Sequence, residues 1–443
     1  MKIVFYSSNA NRFDGKLTTT HLPALSQGWH ELAQKHKEHN FAIVAQKPGA
    51  FLLDTDGENI IAPNIETHIL SEELNAKEVA EAILAQKPDI AIAASAWGAP
   101  FDWLSLQDAE IGRILRSNGV KTVCHNMKSA LDCFDKRATN LRLSALGVNV
   151  AKSVFVNHAL FVSGGNRKEL CRNVYRDAVL SEIKAMNYPV VIKDTTGLSS
   201  YGMEVCKDFE SARVFLNSKR NNSDRIVEEY IAGEQFGIEI YGSSDTGYTV
   251  FPPFKFSVNA YGITSPKQSI KIGPITDFER YRLEDLFEMM GKIAREFNFE
   301  GIAQVDLVFS KGKWYVIEIN PRLSGMSLTY AASLGFSLAE LLYNAALCDI
   351  VGTKQKKALN IKFPLLSSEN LLALKAKPYV FHIAQTENRG AKQEREKGYC
   401  EVILTASDFP ALSEALEDLA TSFPLLIERA FVQTAREMLK DLL

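Results

Sequence analysis

Residues 315–325 read YVIEINPRLSG and set a carboxylate and an amide inside an apolar run. Val316, Ile317 and Ile319 surround Glu318 and Asn320, and Arg322 follows Pro321. Side chains alternate along a strand, so Glu318 and Asn320 share one face while Ile317 and Ile319 form the core face. An ionised Glu in such a setting needs a partner. The preceding run, GIAQVDLVFS, carries Asp306, and Lys311-Gly312 between the two runs has the composition of a hairpin turn. Antiparallel pairing across that turn brings Asp306 near Glu318 and Asn320. Three oxygen-bearing side chains on one face suit a hard cation, and magnesium with nucleotide phosphates is the usual occupant. The competing reading is an ion-paired surface face with Arg322 as counter-ion.

Two upstream segments add compatible chemistry. PVVIKDTTGLSSYGMEVC ends an apolar strand at Lys193 and continues into a loop of small hydroxylic residues with Gly197 and Gly202. Such a loop brings backbone N–H groups to phosphate oxygens, with the lysine as a point charge. RIVEEYIAGEQFGIEI then places Glu228 and Glu229 at a strand end and Glu234 after a glycine turn. In 251–274, Lys255 and Lys271 stand among aromatics and fit either an acceptor pocket or a sheet face with a solvated edge.

These pieces, in this order, resemble the ATP-grasp superfamily, in its biotin-carboxylase and L-amino-acid-ligase branches, over about residues 126 to 350. The resemblance implies a fold of mixed α/β and α+β class. An N-terminal open parallel α/β (pre-ATP-grasp) domain over 1–125 would precede a central lobe over 126–232, with a lid loop at 195–202. A C-terminal lobe over 233–443 would carry the metal site. It further implies that Lys136 and Lys193 bind ATP phosphates beneath a lid holding Gly197 and Gly202. Glu228, Glu229 and Ile231 would line the adenine, and Glu234 would take the ribose hydroxyls. Asp306, Glu318 and Asn320 would hold one or two Mg2+ ions, for which Mn2+ can substitute, and Arg322 would meet the reacting acid. The implied activity is ATP-dependent carboxylate–amine ligation through an acyl phosphate. Bicarbonate activation and nucleotide binding without turnover are the alternatives. TTGLSSYG has fewer glycines than the richest lids of the family, and Asp306 stands where many relatives have Glu.

The elements that must position these groups are legible as periodicities. KIVFYS (2–7), FAIVA (41–45) and DIAIAA (89–94) alternate with amphipathic runs at 22–36, 71–86 and 105–117, which predicts parallel pairing with crossover helices. No GxGxxG supports a dinucleotide site there. Strands are expected at 189–193, 203–206, 225–231, 302–309 and 314–320, with strand-rich sequence over 236–256. A charged helix is expected over 277–297, and mostly helix after 351 with one short strand, EVILT. At 443 residues, 46% hydrophobic and net charge −3, the chain has room for two to four domains and no basic excess for nucleic acid. Six cysteines lack metal-like spacing, and neither a transmembrane run nor a signal peptide is read. These features predict a cytoplasmic protein with small-molecule substrates, no membrane partner, and a size and fold that permit a homodimer.

Overall fold

The structure, a computed structural model, describes residues 1–9, 17–47, 52–56, 59–96, 103–163, 171–196, 203–258, 270–347, 355–391 and 397–443. The expected lid glycines, Gly197 and Gly202, lie outside the described residues. Near the N-terminus, the Lys2–Ser7 strand is apolar on both faces and sits at the centre of a five-stranded parallel sheet. Asn40–Gln46 and Ile90–Ala93 flank it, with Glu66–Leu70 and Lys121–Val123 at the edges. The helices Leu25–Lys35, Ala76–Leu84 and Leu104–Ser117 lie between these strands in the chain. Asn75 starts the second of them through a capping box with Glu78.

A four-stranded antiparallel sheet follows, ordered Glu204–Cys206, Val190–Asp194, Arg225–Glu229, Ser153–Val156. The largest sheet has ten strands, running from Lys313–Asn320 and Gly301–Ser310 through Glu234–Ser243, Phe254–Phe256, Lys271–Gly273, Lys357–Phe363, Gly398–Ala406 and Val380–Asn388 to Leu17–Leu22. Gly247–Val250 pairs with Glu234–Ser243 off this path. One face of the sheet is apolar. Phe236, Ile238, Val305, Leu307 and Val316 pack with the Leu283–Phe297 helix, and Leu359, Ile361, Val402 and Leu404 pack with Leu412, Leu416 and Leu439. The opposite face carries the charged and amide side chains described below.

Three elements differ from the sequence expectations. The C-terminal part contributes three sheet strands rather than one, because Lys357–Phe363 and Val380–Asn388 bury alternate residues in the core beside Gly398–Ala406. Leu17–Leu22, LTTTHL, leaves the N-terminal segment and pairs with Val380–Asn388. A pairing between segments so far apart in sequence has no local signature. The 277–297 helix divides at Arg282, whose left-handed backbone (φ 49°) ends Phe278–Tyr281 and begins Leu283–Phe297.

Three buried histidines each favour the unfolded chain as pH falls. His125 Nε2 meets the Ile302 carbonyl at 2.8 Å, and its Nδ1 accepts from the Glu300 N–H at 3.2 Å, so no ring nitrogen is left for a second proton. Burial pushes His125 down to about 4, His21 to about 4 and His382 to about 3. An unfolded His titrates near 6.5, so below that pH the unfolded chain takes up protons that the folded chain refuses. Each such histidine therefore contributes a loss of about 1.4 kcal/mol per pH unit as pH falls from about 6.5 towards 4, partly offset by the buried Asp306 and Glu239 carboxyls, which are raised to about 7. Urea unfolding of His125→Gln at pH 7.5 and 5.5 should show a pH dependence weaker than the unsubstituted protein's by about 1 kcal/mol; parallel curves would reject the assignment.

Candidate active site

The acids come together through an irregularity in the hairpin. Lys311 and Gly312 both have positive φ (49° and 74°), the two-residue turn that suits twisted strands. From Ser310↔Lys313 the register runs regularly to Leu307↔Val316 and then shifts to Asp306↔Glu318. Ile317 is thus the extra residue of a β-bulge. Without it, Asp306 would face Ile317, and Glu318 would fall opposite Val305 on the core face. Ile317 is consequently not the core residue that simple alternation predicts. Val316 and Ile319 are the buried pair, and Ile317 is half-exposed beside Glu318.

On the polar face a chain of donors fixes the amides. Arg322 Nη2 donates to Asn320 Oδ1 (3.2 Å), Asn320 Nδ2 to Gln304 Oε1 (2.8 Å), and Gln304 Nε2 to Asp306 Oδ1 (2.7 Å). This sequence of donors orients both amide groups. Burial, and then the neighbouring Glu318 charge, push Asp306 up to about 7. Burial opposes ionisation of Glu318 as well, but Lys136 Nζ at 2.9 Å, with Lys193 and Arg322 near, outweighs it and holds that carboxyl below its usual value. Two adjacent carboxylates and an amide oxygen are a donor set that fits Mg2+, which commonly takes one or two protein carboxylates and completes its shell with phosphates and water. Among the described residues no group of three His, Cys, Asp or Glu could hold a metal.

Across the cleft, the four-stranded sheet supplies Lys193, whose Nζ lies 2.7 Å from Glu228. Burial opposes its charge, but Glu228, Glu318 and Asp306 together raise its pKa. Lys136 opens the Lys136–Ala145 helix, and its backbone N–H donates to the Thr195 carbonyl at 2.8 Å, tying that helix to the segment that follows Lys193. A cavity between the sheets is lined by Lys136, Asn140, Ala151, Glu228, Ile317 and Glu318, among others. A polyanion entering it would compete with Glu318 and Glu228 for the two lysines.

Two residues expected here lie elsewhere. Glu229 follows Glu228 on the strand and points to the other face, accepting from the Asn187 N–H and Nδ2 at 2.9 and 3.0 Å, so only its backbone is available to the cleft. Glu234 pairs with Phe309, on the sheet face opposite Asp306, and its carboxylate is held by Lys255 and Tyr281. A ribose contact from that side chain is therefore not supported. Ile231 lies two residues beyond the Arg225–Glu229 strand and is half-buried. The same alternation separates the two lysines of 251–274: Lys255 lies opposite Phe236 on the apolar face, whereas Lys271 is on the polar face.

Gln304 and Glu239 were not singled out from sequence. Glu239 is fully buried opposite Gln304, accepting from Ser324 Oγ (3.0 Å), Ser327 Oγ (2.7 Å) and the Tyr241 hydroxyl. Burial pushes its carboxyl up to about 7. It anchors the turn after Arg322. GIEIYG repeats the apolar–acid–apolar pattern of VIEIN, and that repetition is the signal available in the sequence.

The ATP-grasp domain family model matches residues 133–326. The carbamoyl phosphate synthase large chain of Clostridium perfringens is 24% identical over 208 residues, which cover 43% of this chain and 19% of that one; the match thus spans about a fifth of the curated relative. Among solved structures, N5-carboxyaminoimidazole ribonucleotide synthetase from Thermus thermophilus superposes with TM-score 0.64 at 11% identity, covering 95% of this chain and 98% of that one. The L-amino acid ligase of Bacillus licheniformis gives 0.62 at 13% identity, covering 95% and 97%. No helix among the described residues is long and apolar enough to cross a membrane. The stretch that the ATP-grasp model matches, residues 133–326, contains Lys136, Lys193 and the Asp306–Arg322 hairpin.

Proposed function

We propose that the protein is an ATP-dependent carboxylate–amine ligase. The observation that carries this reading is the convergence of Asp306, Glu318, Asn320 and Arg322 on one face, opposite Lys136 and Lys193. ATP and a carboxylate repel, so their reaction requires neutralised charge and aligned oxygens. Lys136 and Lys193 would hold the phosphates, and Asp306, Glu318 and Asn320 would hold Mg2+, which neutralises and aligns the β- and γ-phosphates when bound. Arg322 would orient the substrate carboxylate. Its oxygen attacks the γ-phosphorus and ADP leaves, giving an acyl phosphate. An amine then attacks the acyl carbon, Arg322 stabilises the oxyanion, phosphate departs, and the nitrogen loses a proton to give the amide.

Phosphate release with ATP, Mg2+ and a panel of acid–amine pairs tests the reading. Stimulation by one pair supports it; release driven by bicarbonate alone would favour the second reading, towards which the carbamoyl phosphate synthase match points. Nucleotide binding with no release under any condition would leave a binding protein.

Glu239 provides a test of positioning. Glu239→Ala frees Ser324 and Ser327 and so the turn that carries Arg322. It should lower kcat/KM for the acid by about tenfold to a hundredfold, with KM for ATP nearly unchanged. Glu239→Gln retains an acceptor oxygen for both hydroxyls and should recover most of the activity. Equal losses in the two variants would remove the positioning role.

A further inference from the structure

The polar face continues past the metal-site acids. Lys271 Nζ donates to the Gly325 carbonyl at 2.8 Å, three residues beyond Arg322, and a Cβ at Gly325 would stand 3.3 Å from that ammonium. Lys271 is the direct cross-strand partner of Asn360; two residues along the same strand as Asn360, Lys362 is the cross-strand partner of Glu401 on Gly398–Ala406. Asn360, Lys362 and Glu401 are buried, with Lys362 Nζ and Asn360 Nδ2 both on the Glu401 carboxylate. The polar face therefore runs from Arg322 through Lys271 to Asn360 and Lys362, which share a strand, and on to Glu401, which both of them contact.

Two features of this row remain unmatched. Lys271 makes no ion pair within 4 Å of a described residue, although its ammonium acts at longer range on Glu401, Glu239 and Asp306. Asn360 Nδ2 donates to Thr329 Oγ1 (2.8 Å) and to Glu401, and because a carboxylate only accepts, the amide cannot be reversed. Asn360 Oδ1 is then a fully buried acceptor with no partner among the described residues. Its complement is an N–H or O–H donor. His21 Nε2, on the same face and in register with Glu401 through Ala384, is a second buried atom without a partner.

The order of these groups supplies polarity: anion-seeking groups lie next to the site acids, and beyond them lie an unpaired acceptor and a carboxylate shared with Lys362. The geometry points to an amino acid as the acid that is activated, its carboxylate at Arg322 and Lys271 and its ammonium between Asn360 Oδ1 and the Glu401 carboxylate. This deepens the ligase reading and rests on it for the identity of the reacting carboxylate. A simple fatty or aromatic acid would leave Asn360 Oδ1 buried and unpaired.

The test compares α-amino acids, β-alanine and γ-aminobutyrate with the des-amino acid of the same carbon skeleton. Phosphate release with ATP and Mg2+ is measured together with ligand-induced shifts in melting temperature without ATP. At least one amino acid should exceed its des-amino partner by about tenfold or more in kcat/KM. In Lys362→Met/Glu401→Gln, which removes both charges of the pair, that ratio should fall to within about threefold. A des-amino acid used as well as its amino acid, or an unchanged ratio in the double variant, overturns the inference. If no acid stimulates phosphate release, the ligase reading fails, and the melting shifts decide the ammonium site. Stabilisation by an amino acid but not its des-amino partner, lost in the double variant, sustains the site; no such difference removes it.

Discussion

Glu318→Ala should reduce turnover by about 10³-fold or more while leaving the protein folded, with kcat in the substrate-stimulated phosphate-release assay as the readout. The size follows from the residue's position: it faces Asp306 across the bulge and Lys136 across the cleft, at the convergence of the proposed cation and phosphate sites. Loss of several kcal/mol of charge stabilisation at that point corresponds to this factor. Stability should change little, because two effects oppose. The variant loses the Lys136 ion pair, but it also removes the charge that, after burial, raises Asp306. Urea midpoints within about 0.3 M of the unsubstituted protein would separate a chemical defect from a folding defect. Activity within tenfold of the unsubstituted protein would remove Glu318 from the site, and Mg2+-dependent nucleotide binding should weaken in parallel.

How the site could be read from sequence depends on parity. Residues paired across the Ser310↔Lys313 turn sum to a constant, and Asp306 with Glu318 exceeds that sum by one. The sequence therefore held the arithmetic for a one-residue bulge, but simple alternation placed Ile317 in the core instead. The same rule of alternate faces was available for Lys255 and Lys271, and for Glu228 and Glu229, yet it sorts them only once the strand limits are known. Glu234 was assigned by analogy of position, and its face shows why position alone was insufficient. Asn360, Lys362, Glu401 and His21 were out of reach for a different reason. They come from three strands, one of them from the N-terminal segment, and only the ten-stranded sheet makes them neighbours. Local periodicity sufficed for the parallel sheet and for the hairpin, whose contacts are short-range or regularly repeated.

Lys362→Met should be the most destabilising single change on the polar face, by about 3–5 kcal/mol, because it leaves the buried Glu401 charge without its ion-pair partner. Burial opposes the Glu401 charge, and Lys362 with Lys271 more than offsets it, holding the carboxyl at about 2. Lys362 itself is drawn down to about 8 by burial, against the pull of Glu401. The ammonium also stands 5.1 Å from the centre of the Tyr399 ring, so the methionine stem would keep most of the packing while losing the charge. Lys362→Met/Glu401→Gln should recover most of the stability, since Gln still accepts from Asn360 Nδ2 and no buried charge remains unpaired. A double-mutant cycle in urea should then give a coupling of about 2–3 kcal/mol. Additive losses would mean that Glu401 is stabilised by Asn360 and Lys271 without Lys362. Strong coupling would mean that the pair is retained for what it presents to the cleft rather than for net stability, since an uncharged pair of similar size would fold as well.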